Sequence, residues 1–238
     1  MKCTADRYNG VIIDNSTIPH TLDEFEKNII QIISDLKDKK ILWITLPIAK
    51  SDYIPLLIQY NFIFYDCNES SITLLKKLVD NPSTPTPTNH TVGVGAFVMD
   101  KNELLVVKDR IYKKYKLPGG YVDHKENISQ ALVREVFEET GVNVQADSVV
   151  SIGHFSPGQF GESNVYIVCK AQPLSREINI IDDHEIIEAQ WIDIDEYLHC
   201  EDVHIYNKKI VATALKNGGM KLEVNDLFFK NIHHELFF

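Results

Sequence analysis

The residues best suited to chemistry in this chain lie close together, between Gly119 and Val142. Glu135, Glu138 and Glu139 are spaced by three and four, which places them on one face of a helix turning about 100° per residue. That face overlaps the stripe marked by Ile128, Ala131, Leu132 and Val136. The pattern therefore asks for apolar side chains where the chain supplies carboxylates. Like charges at this spacing destabilise an isolated helix by roughly 0.2–0.5 kcal/mol per pair, so something positive is expected to compensate. Three such carboxylates suit Mg²⁺, or Mn²⁺ in its place, because both prefer oxygen ligands. A solvated acidic helix face is the other reading of the same spacing.

The elements that must position these residues can be read on either side. The pattern predicts a helix from Ile128 to Thr140, stopped at Gly141, a residue suited to the left-handed helix exit. Val92 to Met99 and Leu104 to Lys108 read as strands joined by the turn Asp100-Lys101-Asn102. Asn164 to Lys170 and Ala189 to Ile194 read as further strands, and Val203 to Lys216 as a late helix. Leu227-Phe228-Phe229 and Leu236-Phe237-Phe238 are expected to pack within the chain. Gly93 and Gly95 do not complete a dinucleotide-binding fingerprint, since Val98 stands at the third glycine position.

Upstream, Asp80 to Asn89 contains three prolines and no large apolar residue, and reads as a linker. Before it, strands are expected at Gly10 to Asp14, Lys40 to Ile48 and Phe62 to Tyr65. Helices are expected from Thr21 or Asp23 through Leu36, and from Ser51 through Tyr60. Leu74 to Val79 is too short to assign. The predicted organisation is an αβ domain over 1–80, a linker over 81–90 and the carboxylate-bearing domain over 91–238. The first domain shows no cluster of carboxylate, His or Cys residues, and its expected part is to assist dimerisation or to frame a substrate pocket.

Composition narrows the function. The 238 residues are 44% hydrophobic and 24% charged, ample for a core and unlike a disordered chain. With 24 Lys and Arg against 34 Asp and Glu, the formal net charge is −10, a poor match for nucleic acid or an anionic membrane. No apolar run approaches the 18 to 20 or so residues of a membrane span, and the N-terminus lacks the apolar region of a secretory signal. Cys3, Cys67, Cys169 and Cys200 form no Cys-x-x-Cys pair, so a zinc site or disulfide framework is not suggested; isolated thiols fit a cytoplasmic protein and small buried positions.

From Gly120 to Val142 the chain reads Gly-x5-Glu-x7-Arg-Glu-U-x-Glu-Glu-x-Gly-U, with U aliphatic, at Gly120, Glu126, Arg134, Glu135, Val136, Glu138, Glu139, Gly141 and Val142. This resembles the Nudix box at every defined position, in the loop–helix–loop context the motif requires. The resemblance implies an α/β/α sandwich with a mixed sheet, and hydrolysis of nucleoside diphosphates linked to another moiety. It also implies roles. Gly119, Glu135, Glu138 and Glu139 would hold the metal, Arg134 would orient the carboxylates, and Glu126 would support the loop. In several members a further glutamate comes from a mobile loop outside the box. Glu185, six residues before Trp191, stands at the expected place, although a surface charge would look the same. The catalytic set implied is thus Arg134, Glu135, Glu139 and Glu185. His184-Glu185-Ile186-Ile187-Glu188 lacks the second His of a zinc protease motif, which excludes that chemistry.

Arg7-Tyr8-Asn9-Gly10-Val11, Trp43-Ile44-Thr45-Leu46-Pro47-Ile48 and Val92-Gly93-Val94-Gly95-Ala96-Phe97 resemble two-part Nudix proteins of plants and animals. Their pre-Nudix domain is similar in part to an acetyltransferase, but no acetyl-CoA phosphate loop is present here. Characterised plant members cleave ADP-ribose and NADH. Pro157, fifteen residues beyond Val142, lies near a proline frequent in ADP-ribose-cleaving members, and also suits an ordinary turn. Phe155, Phe160 and Tyr115 could stack on a base or pack in the interior. The leading expectation is a Mg²⁺-dependent pyrophosphohydrolase of ADP-ribose or NADH. The alternatives are a hydrolase of oxidised nucleoside triphosphates, and a nucleotide-sensing module with little turnover.

Overall fold

The computed structural model describes residues 1–157, 161–223 and 235–237. The chain divides into two compact units, Met1–Asn89 and His90–Phe238. Within the first, β1 (Cys3–Ala5), β2 (Gly10–Ile13), β3 (Ile41–Pro47), β4 (Phe62–Cys67) and β5 (Ser71–Lys77) form a mixed sheet in the order β1-β2-β3-β5-β4. Parallel pairing of β2 with β3 requires a crossover, supplied by α1 (Leu22–Asp35). Phe25 and Ile29 of α1 pack on Val11, Leu42, Ile44 and Leu74 of the sheet. Leu57 of α2 (Ile54–Gln59) joins them, and that helix carries Pro55 in its first turn, where no amide bond is lost.

The segment left unassigned in the sequence, Leu74 to Val79, is largely β5. It lies between β3 and β4 and uses both faces, so its residues do not alternate cleanly. Cysteine burial holds only for Cys169. Cys3 and Cys67 are exposed because β1 and β4 are the two edges of their sheet.

The second unit opens with β6 (His90–Asp100), β7 (Glu103–Asp109) and the two-residue β8 (Tyr115–Lys116). Then follow α3 (Ile128–Thr140), β9 (Val144–Phe155), β10 (Ser163–Pro173), β11 (Ile186–Asp193), α4 (Ile194–His199), α5 (Ile205–Lys216), β12 (Met220–Glu223) and β13 (Leu236–Phe237). The sheet order is β11-β7-β6-β10-β9-β12-β13, with β8 against β7. All pairings are antiparallel except β6 with β10.

Alternation along β6 assigns the two faces. Val94, Ala96 and Val98 pack with Ala131, Leu132 and Val136 of α3, while Phe97 packs with Tyr197 of α4 and Val211 of α5. Helices therefore cover both faces of a mixed sheet, as expected from the resemblance. No helix among the described residues is long and apolar enough to cross a membrane. The expected packing of Leu227-Phe228-Phe229 and of Phe238 lies outside the described residues, whereas Phe237 packs against the α3-side core.

Candidate active site

The α3 helix begins at Asn127, whose side chain and that of Gln130 form a reciprocal capping box. It ends at Gly141 with φ 74°, where the amide closes on the Phe137 carbonyl at 2.7 Å. Between these ends the apolar stripe and the carboxylates compete for the same face, and Glu139 goes inside with only 3% exposure. A buried charge must be compensated.

The loop Leu117–Gly120 supplies part of that compensation. It runs along β6, where Ala96 N–H donates to Pro118 O and Val94 N–H to Gly120 O, each at 2.8 Å. The Gly119 amide is left to donate to Glu139 Oε2 at 2.7 Å. No backbone amide among the described residues donates to the Gly119 carbonyl. Glycine is required here twice over: φ is 147°, and a Cβ would run into the Val94 carbonyl. At Gly120 a Cβ would instead meet the Glu135 carboxylate at 2.6 Å.

Arg134 organises the exposed side of the cluster. Its Nε and Nη2 bind the two oxygens of Glu126 at 2.9 Å each, a bidentate fork. Nη2 also donates to Tyr121 O at 2.9 Å, and Nη1 reaches Glu135 Oε1 at 2.8 Å and Glu138 Oε2 at 3.0 Å. The Glu126 bonds, with those from Glu135 and Glu138, outweigh desolvation and hold the guanidinium firmly charged. They keep the Glu126 carboxyl below its usual range.

Lys116, on β8, organises the inner side. Its Nζ lies 3.1 Å from Glu139 Oε1 and 3.2 Å from Glu185 Oε1. Burial disfavours its charge, but the two carboxylates more than restore it, and its pKa is raised. For Glu139 the balance tips the other way. Burial pushes its carboxyl up to about 7, despite the opposing effects of Lys116 and the Gly119 amide. Burial also raises Glu135, against the pull of Arg134.

The three carboxylates expected to converge on one cation are thus divided between two cations of the chain itself. Glu135 and Glu138 turn to Arg134, and Glu139 turns to Lys116. Among the described residues, no three His, Cys, Asp or Glu side chains form a ready cation cage. The donor set still fits a hard divalent ion, with oxygen donors throughout and a buried carboxylate whose desolvation Lys116 alone does not offset.

Of the other expected residues, Glu185 lies in the loop before β11, 54% exposed at the side chain and joined to the cluster through Lys116. Tyr115 borders a cavity of about 430 Å³ together with Tyr112, Lys116, His204 and Asn207. Lys108 Nζ lies 4.8 Å from the Tyr115 ring centroid. Phe155, at the end of β9, meets Tyr206 of α5 edge-on at 5.6 Å and remains 42% exposed. Phe160 lies outside the described residues. Sequence reasoning missed Lys116. Its only early signal is its place three residues before Gly119, since the β7–β8 pairing is what turns it inward.

A family model described as NUDIX domain matches residues 89–214, over half of the chain. This chain belongs to the Nudix family. A second model, described as Nudix hydrolase domain, matches residues 1–78. Nudix hydrolase 8 of Arabidopsis thaliana is 33% identical over 203 residues, covering 81% of this chain and 55% of that protein. The chain therefore spans little more than half of that relative. Nucleoside diphosphate-linked moiety X motif 6 of Homo sapiens is 33% identical over 214 residues, covering 82% of this chain and 67% of the relative. Among solved structures, a NUDIX hydrolase from Nitrosomonas europaea aligns with a TM-score of 0.49 and 21% identity, over 65% of this chain and 85% of that one. Nudix hydrolases generally use divalent metal ions, and they act on nucleotide-linked small molecules.

Proposed function

We propose that this Nudix hydrolase cleaves the diphosphate of ADP-ribose or NADH with the aid of Mg²⁺, or Mn²⁺ in its place. The observation that carries this reading is the buried Glu139 carboxylate, held between the Gly119 amide and Lys116 beside Glu185 and the Tyr115 cavity. Gly119, Glu135, Glu138 and Glu139 would hold the cation, with the glycine contributing its carbonyl. When bound, the divalent ion supplies compensating charge and Lewis acidity to the diphosphate.

The protein's own part is to orient groups and to move a proton. Arg134 fixes the carboxylates of Glu126, Glu135 and Glu138. Glu185 accepts the proton of the attacking water as a new P–O bond forms and the anhydride P–O bond breaks. Two phosphomonoesters leave, AMP and ribose 5-phosphate from ADP-ribose. Tyr112 and Tyr115 offer aromatic surface for the ring end of such a substrate.

The working compartment we propose is the cytoplasm, and the working state a homodimer assisted by residues 1–80. A substrate panel with product analysis tests the reading. AMP and ribose 5-phosphate from ADP-ribose, or AMP and reduced nicotinamide mononucleotide from NADH, are expected. A nucleoside monophosphate with pyrophosphate from oxidised triphosphates would replace this reading, and binding without products would refute hydrolysis.

A further inference from the structure

Arg110 follows the last residue of β7 and collects three successive carbonyls of the loop that carries Glu185. Its Nη2 donates to Asp183 O at 2.5 Å and its Nε to His184 O at 3.0 Å. Its backbone amide donates to Glu185 O at 2.9 Å. Among the described residues the guanidinium forms no ion pair with a carboxylate. An arginine directed wholly at main-chain acceptors fixes the course of the backbone it touches.

Both partners of this clamp are themselves braced. On one side, Asp109 Oδ1 accepts from the amides of Ile111 and Tyr112 at 2.8 and 2.7 Å, which sets the turn that presents Arg110. On the other, Asp182 Oδ1 accepts from the amides of His184 and Glu185 at 3.1 and 3.2 Å. The Arg110 guanidinium therefore holds the two residues before Glu185 while the Arg110 amide, which any substitution keeps, holds Glu185 itself, and Lys116 meets its carboxylate at 3.2 Å. A side chain more than half exposed at a loop position is placed only as well as its backbone is.

We propose that Arg110 is a positioning residue for Glu185, setting where that carboxylate stands during the reaction. The inference rests on the proposed proton-accepting role of Glu185. Arg110→Ala is expected to lower kcat about tenfold while KM for ADP-ribose stays within about twofold, because the residue does not bind substrate. In the Glu185→Gln background the same substitution is expected to change kcat no further, the signature of two residues acting as one unit. Amide hydrogen exchange of metal-free protein should quicken at residues 183–186 in Arg110→Ala, with protection in α3 unchanged.

Wild-type kcat in Arg110→Ala, with Glu185→Gln impaired, overturns the inference and leaves the role of Glu185 standing. An equal loss in both backgrounds, or unchanged exchange at 183–186, also overturns it. Wild-type turnover in Glu185→Gln removes the proposed role of Glu185 and the inference with it.

Discussion

Glu139→Gln in the metal-free protein separates the electrostatic cost of the site from its chemistry. The carboxyl is 3% exposed and is raised by burial from an ordinary 4.5 to about 7. Between those two pH values the folded protein binds a proton that the unfolded chain has released. Stability is therefore lost as pH rises through this window, and the loss is complete above about 7. At 1.36 kcal/mol per pH unit, the gap corresponds to roughly 3 kcal/mol. Glutamine nearly preserves volume and cannot ionise. It also withdraws one partner from Lys116, which keeps Glu185 at 3.2 Å. The Lys116 pairing strengthens as Glu139 ionises and is already contained in that raised value, so it adds no slope of its own.

The diagnostic is hence the slope and not the offset. Urea denaturation in EDTA across pH 5 to 8.5 should show the wild type losing about 2.5 kcal/mol relative to Glu139→Gln, the rest of the gap lying below pH 5. Glu135 is raised in both proteins and cancels in the difference. Parallel stability curves would refute the claim that burial of Glu139 stores this energy. Saturating Mg²⁺ should restore the wild type selectively, by about 2.7 kcal/mol at a hundred times Kd, and leave the variant unmoved.

Glu138→Gln should remove most Mg²⁺-dependent turnover with little change in melting temperature, since this side chain is half exposed; near-wild-type kcat at low Mg²⁺ would remove Glu138 from the site. Gly119→Ala should destabilise the second unit by about 2 kcal/mol or more, through its positive φ and the collision with the Val94 carbonyl; an unchanged urea midpoint would show that the loop relaxes freely. A chain beginning at Thr88 should fold and retain metal-dependent hydrolysis while changing its mass in solution or its substrate preference. If both matched the full protein, residues 1–87 would have no role in assembly or specificity.

Much of the site was legible because its spacing is local. Arg134 reaches Glu126, Glu135 and Glu138 within the reach of one helix and its entry loop, so the motif alone records the hub. Glu139 read as one of three equivalent carboxylates, whereas packing makes it the buried one. Lys116 was invisible because a two-residue strand, set against β7 on one side and bridged to Val203 through Tyr115, aims it at a helix that begins twelve residues later. The twelve-residue β9 also went unread. Asp147 and Ser148 interrupt its pattern, and two register shifts against β10 break the alternation that marks a strand. Phe155 had the right chemistry for stacking, but only the tertiary fold shows Tyr206 beside it.

The parallel pairing of β6 with β10 sets an order of assembly. Val92 meets Val165, about 70 residues later, and β7 waits still longer for β11. Such distant contacts carry a loop-closure cost before they return any stability, which slows folding. A chain emerging from the ribosome can form the β6–β7 hairpin, Lys116 and the acidic helix while β11 is still unsynthesised. The carboxylates would then stand ready without Glu185 or the carbonyls that Arg110 gathers. In the proposed mechanism, hydrolytic competence therefore arrives late, when the far edge of the sheet closes and the proton acceptor comes with it.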